Sequence, residues 1–215
     1  MAPPPTNSIP TLLTGADNDR GALIGALAFV EGVGIGAMGP RELKTWIEEY
    51  LVRAGRMQRP TQISEPMAGT LLLDTLGTTG APPSTTKALL DRILGRARSR
   101  VVFTLRGLIS DPPDDRFLEL ATSTARVQPL GLGGKTSWIA RPQREDSLSD
   151  IVLSLFAADI LSNRSLYDQN LCVCDTCGRV SFRAKMMSRT GCREHNNEGG
   201  GAGPKPSSPT TGGRK

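Results

Sequence analysis

Cys172, Cys174, Cys177 and Cys192 fall within 21 residues, and the only histidine of the chain, His195, lies three positions after the last of them. A disulfide scaffold spreads its cysteines through a small secreted chain, whereas clustering in an intracellular protein points to metal. The order is Cys174-x2-Cys177, then fourteen residues, then Cys192-x2-His195. Two ligands two residues apart share one turn of backbone around an ion, and zinc prefers four nitrogen or sulfur ligands in a tetrahedron. The spacing therefore predicts one structural Zn2+ held by Cys174, Cys177, Cys192 and His195, with no coordination position left for catalysis. Gly178 follows the second cysteine, where a tight knuckle needs a residue tolerant of unusual φ. Cys172 alternates with Cys174 along a strand and faces the same side, so it is either an alternative ligand or a packed thiol.

The 215 residues are enough for a hydrophobic core, and 38% of them are of the AVILMFWYC types, an ordinary globular share. The net charge is +5, and its placement says more than its size. Residues 1–171 hold 18 basic and 18 acidic side chains. Residues 172–195 add Arg179, Arg183, Lys185, Arg189 and Arg193 against Asp175 and Glu194, and residues 196–215 add Lys205, Arg214 and Lys215 against Glu198. All the basic excess thus sits at one end, which suggests an anionic partner there, either nucleic acid or an acidic protein surface. Arginine outnumbers lysine by 20 to 6, and Gly and Pro are abundant, a composition expected of a GC-rich bacterial genome. The first 19 residues lack Lys and Arg, and the apolar stretch 22–38 is short, glycine-rich and carries Glu31. The expectation is a cytoplasmic protein without a secretory leader or a membrane partner.

The periodicity predicts an α+β fold: a mainly helical body with a short antiparallel β portion, plus a small C-terminal zinc-binding module. Residues 1–16 are proline-rich and read as a flexible lead, 17–170 as the body, 171–196 as the zinc module and 197–215 as a disordered basic tail. A first helix, capped by Asp17 or Asn18, runs through Ala22, Leu23, Ala26, Leu27 and Val30 and breaks up in the glycines 32–36. A second starts at Gly39-Pro40, buries Leu43, Trp46, Ile47, Tyr50 and Leu51, and stops at Gly55. Residues 59–83 read as irregular, with a short buried element at 70–76, and 84–98 as a third helix. The β-branched run 100–108 reads as extended, and 125–130 with 136–141 as a hairpin about a glycine turn. A fourth helix over 146–162 has Leu148, Ile151, Val152, Leu155, Phe156 and Ile160 on one side and a capping pair in Ser147 and Asp150.

Residues 171–195 resemble a treble-clef or zinc-ribbon module: a Cys-x2-Cys-Gly knuckle, a short hairpin, then a Cys-x2-His pair at a turn. A fainter similarity is to the CGNR-type zinc fingers at the C-terminus of some bacterial regulators, although the Cys-Gly-Asn-Arg signature itself is missing. The implied function is that of a zinc-binding regulatory protein contacting nucleic acid through Arg179, Arg183, Lys185, Arg189 and Arg193. The alternative is an adaptor whose zinc module is a structural platform for protein interaction, and a homo-oligomer is compatible with either. Nothing favours an enzyme. Gly133-Gly134-Lys135-Thr136 lacks the leading glycine of a phosphate loop, because Pro129 stands there. Asp111, Asp114 and Asp115 read as a solvated turn, and the only histidine is already claimed by the metal motif.

Overall fold

Six helices and two short hairpins form the described part of the chain, and the reasons for them lie in a few local signals. The computed structural model describes residues 20–56, 83–132, 135–143, 146–182, 190–192 and 195. The flexible lead, the basic tail, the caps Asp17 and Asn18 and the element expected at 70–76 lie outside these residues. Helix α1 is Gly21–Gly34, with Arg20 at its N-cap. Helix α2 is Pro40–Ile47 and runs on into a π-helical turn, Glu48–Arg53. Pro40 occupies the first helical position, and the Glu42 carboxylate reaches back to accept from the Gly39 N–H at 3.1 Å. That contact satisfies a donor the helix cannot satisfy itself. The Trp46 indole N–H donates to the Gly25 carbonyl at 2.7 Å, and its ring lies 5.2 Å from Phe29, so α2 is locked across α1.

Helix α3 is Pro83–Ile109, almost twice the length the sequence suggests. The expectation of an extended run at 100–108 is wrong. Leu90, Leu94, Ala97, Val101, Leu105 and Leu108 are all buried and recur at helical spacing through the whole segment. The weak strand preference of Val101, Val102 and Phe103 is overridden by that continuous stripe, as tertiary packing generally overrides propensity. Helix α4, Arg116–Ser123, leads into the first hairpin, β1 Val127–Leu132 and β2 Lys135–Ala140. The strands are antiparallel, from Val127 opposite Ala140 to Leu132 opposite Lys135. The glycine-bearing segment is therefore a hairpin, with its tip at 133–134 outside the described residues.

Helix α5, Leu148–Ser162, is the centre of the molecule. Ser147 caps it, accepting from the Asp150 N–H at 3.2 Å, as its sequence indicates. It does not present a single apolar side. Every residue from Leu148 to Ile160 except Asp150 is buried, because α1, α3, α4 and β2 pack around it. A helix enclosed on all sides must be apolar all round, which hides any period. Its one buried carboxylate, Asp159, accepts from Arg20, from the Tyr167 hydroxyl at 2.5 Å and from Asn163 Nδ2 at 3.2 Å. Tyr167 lies on helix α6, Arg164–Asn170, which hands the chain to the second hairpin, β3 Leu171–Val173 and β4 Val180–Phe182. Leu171, Val173, Val180 and Phe182 join the same core as the helices. The Phe182 ring meets Tyr167 edge-on at 5.1 Å. Among the described residues no helix is long and apolar enough to cross a membrane.

Candidate metal centre

The turn between β3 and β4 is the knuckle read from the sequence. The Cys174 N–H donates to the Arg179 carbonyl at 2.9 Å, and the Gly178 N–H to the Cys174 carbonyl at 2.8 Å. Gly178 has φ +67, and a Cβ there would stand 3.1 Å from Val102 Cγ1. Both the backbone conformation and the approach of α3 call for glycine. The second pair is brought in by residues 190–195. The Asp175 N–H donates to the Thr190 carbonyl at 2.8 Å, and a turn places the His195 N–H 3.1 Å from the Cys192 carbonyl.

These two turns gather Cys174, Cys177, Cys192 and His195 so that their four donor atoms all lie within 4.8 Å of one another. Cys177 Sγ is 3.7 Å from Cys192 Sγ, Cys174 Sγ 3.5 Å from His195 Nδ1, and Cys192 Sγ 3.0 Å from the same nitrogen. A sulfur–sulfur separation of 3.7 Å is far outside disulfide length, so the thiols are free. Burial works to raise the Cys174 thiol. The backbone N–H groups of Cys177 and Thr176, with the thiols of Cys177 and Cys192, overcome it and lower the group to about 6. Cys177 moves up, chiefly through burial, and hydrogen bonds to Cys192 and Cys174 raise His195. The cluster thus gathers three thiols, one of them held below its ordinary value, and an imidazole, an arrangement that could hold a metal ion.

Cys172 is not part of this cluster. It is buried on β3, and its thiol donates to the Asn170 carbonyl at 3.5 Å. Of the five basic residues singled out in the sequence, Arg179 follows Gly178 at the end of the knuckle and is half-buried, while Arg183, Lys185, Arg189 and Arg193 lie outside the described residues. Asp114 and Asp115 are engaged by arginines: Asp114 by Arg116 at 2.6 Å and Asp115 by Arg164 at 3.6 Å. The Arg116 guanidinium and backbone N–H hold Asp114 down at about 2.

Two residues that support the centre escape sequence reading. Arg98 and Arg106 lie on α3 at i and i+8, with Val102 between them, and this stripe is the face on which the knuckle sits. The Arg98 guanidinium donates to the Cys177 carbonyl at 2.6 Å and to the Val30 carbonyl of α1 at 3.0 Å. Arg106 donates to the carbonyls of Cys174 at 2.7 Å and Asp175 at 2.8 Å. One guanidinium thus ties the knuckle to the end of α1. Gly34 leaves room for it, since a Cβ there would stand 3.0 Å from Arg98 Nε. Residues that orient a metal site from behind typically change its affinity about 10–100-fold. Arg98→Met is expected to weaken metal binding by about tenfold, the low end, because it holds carbonyls and not ligating atoms. Competition against a chromophoric chelator measures this, and an unchanged affinity at retained helicity would contradict it.

No family model matches the chain, and neither a curated protein nor a solved structure matches it.

Proposed function

We propose that Cys174, Cys177, Cys192 and His195 hold one structural zinc ion, in a module of treble-clef or zinc-ribbon type, and that the protein is a regulator whose basic C-terminal segment contacts nucleic acid. The donor geometry carries the metal assignment. With zinc bonds of about 2.3 Å to sulfur and 2.0–2.1 Å to nitrogen, a tetrahedron has edges of roughly 3.8 Å between sulfurs and roughly 3.6 Å between sulfur and nitrogen. The Cys177–Cys192 and Cys174–His195 separations of 3.7 and 3.5 Å match those edges, and the Cys192–His195 separation of 3.0 Å is shorter and would have to widen around an ion. Three thiols and one imidazole select zinc over the hard cations, and four protein ligands close the coordination sphere. The ion would bind the knuckle to residues 192–195 and so fix where the intervening basic segment begins and ends.

The nucleic-acid reading rests on charge: residues 1–171 are balanced, and the whole excess of +5 lies beyond them. Each lysine or arginine on a phosphate releases counterions, so affinity should fall steeply with salt. The test is a mobility shift of random-sequence DNA, duplex and single-stranded, at two salt concentrations, with wild type and Arg183→Ala/Lys185→Ala/Arg189→Ala. The expected result is salt-sensitive binding, with a slope reduced by roughly two to three units in the triple variant and zinc content unchanged. Absence of binding at low salt would overturn this reading and leave an acidic protein surface as the partner of the basic segment.

A further inference from the structure

Between Arg92 and Ile109, helix α3 carries five arginines and no carboxylate. Two of them, Arg98 and Arg106, hold the knuckle carbonyls. Arg100 is paired with Asp150 at 3.0 Å. Arg92 and Arg96 are exposed and have no ion-pair partner among the described residues. At 100° per residue Arg92, Arg96, Ser99, Arg100 and Phe103 share one face, and all five are exposed. Phe103 is 77% exposed, the most open large apolar side chain among the described residues. The other aromatic rings placed near the centre, Tyr167 and Phe182, are buried.

We infer that this face of α3 is a docking surface for single-stranded nucleic acid, with Phe103 as the stacking platform for a base and Arg92 and Arg96 as phosphate contacts. A lone arginine row on a helix is ordinarily a solvated face. Here it leads along one side to an aromatic ring left in water, and a positively charged track with an aromatic on which a base stacks is the chemistry that single strands require. The surface also runs beside the knuckle, because the next stripe of the same helix, Arg98–Val102–Arg106, carries it. The inference rests on the nucleic-acid reading above and assigns it a second contact, on the body of the protein, that the overall neutrality of residues 1–171 conceals.

The test uses the full-length, zinc-loaded chain and fluorescence anisotropy with a labelled oligo-dT strand, a random-sequence duplex and a poly-glutamate peptide. Phe103→Ala is expected to weaken oligo-dT binding about ten- to a hundredfold while leaving its salt slope unchanged, since the lost contact is stacking. Arg92→Ala/Arg96→Ala should reduce that slope by roughly one to one and a half units. Arg41→Ala/Lys44→Ala removes the same charge from exposed positions of α2 and should leave binding near wild type. Wild-type affinity in Phe103→Ala, with the C-terminal triple variant still weakened, would overturn the α3 surface and leave the nucleic-acid reading standing. No binding of any oligonucleotide by wild type, or preference for poly-glutamate, would overturn both. A lower melting temperature in Phe103→Ala would place this ring against the protein's own chain and equally overturn the surface.

Discussion

Stripping the metal with a chelator will lower the melting temperature by roughly 6–20 °C while leaving most of the helical circular dichroism in place. The helices that dominate that signal all precede the knuckle and share a core organised around α5. The knuckle and residues 190–195 have no such resource. Cys174 and Cys192 are buried, and without an ion the thiols and the imidazole would hold the two turns together only by hydrogen bonds. In small zinc modules the binding energy of the ion is folding energy. The loss does not stop at the knuckle, because Val180 and Phe182 follow it directly and belong to the common core. Releasing a buried phenylalanine from a core costs about 3–5 kcal/mol, and 1 kcal/mol moves the midpoint of a domain of this size by about 2–4 °C. Calorimetry with and without chelator, followed by zinc add-back, measures the shift. An unchanged midpoint would mean that the centre contributes nothing to the fold, and loss of all helicity would mean that the helices cannot stand without it.

Asp159→Ala is expected to destabilise the chain by about 3–5 kcal/mol. Asp159 is buried on α5, its side chain only 4% exposed, and it is the common acceptor of Arg20, Tyr167 and Asn163. Removing it takes the shared carboxylate from a guanidinium at 11% exposure, leaving a largely buried charge uncompensated, which costs more than the pair itself contributes. The double variant Arg20→Met/Asp159→Leu should recover most of the loss, because replacing both charges with apolar groups removes the desolvation penalty as well. Urea midpoints at constant slope decide it, and a cost below about 1 kcal/mol for Asp159→Ala would show that Arg20 escapes to water. Tyr167 adds a pH signature. Burial first, then the Asp159 carboxylate, pushes its phenol well above the ordinary value. A raised acid contributes stability that is full below the unfolded value of about 10 and falls as pH rises past it, since the unfolded chain loses the proton first. Tyr167→Phe should flatten that alkaline fall.

Local signals made parts of this fold legible. Pro40 and Gly55 bracket α2 and its π-helical extension, Ser147 starts α5, and the cysteine spacing marks the knuckle, each through residues adjacent in the chain. What escaped depends on partners far away. The second half of α3 looks extended because Val101, Val102 and Phe103 are strand formers, and the packing of α1, α5 and β3 along the helix makes it one. Helices α4 and α6, with 8 and 7 residues, are too short to display a period. Arg98 and Arg106 support the metal centre by donating to backbone carbonyls 79 and 68 positions away, and a carbonyl has no signature in sequence. Read as one helix, however, the i, i+4, i+8 row of Arg98, Val102 and Arg106 would have stood out as a face in need of a partner. The Arg20–Asp159 pair, separated by 139 positions, carries no local signal at all.

Metal analysis of the chain purified without chelator tests the central claim most directly, with Cys177→Ser and Cys172→Ser measured in parallel. One equivalent of zinc per chain is expected for wild type and for Cys172→Ser, whose thiol is turned to the Asn170 carbonyl, and most of it should be lost in Cys177→Ser. Metal-free wild-type protein, or a Cys177→Ser variant that loads zinc as well as wild type, would contradict the account.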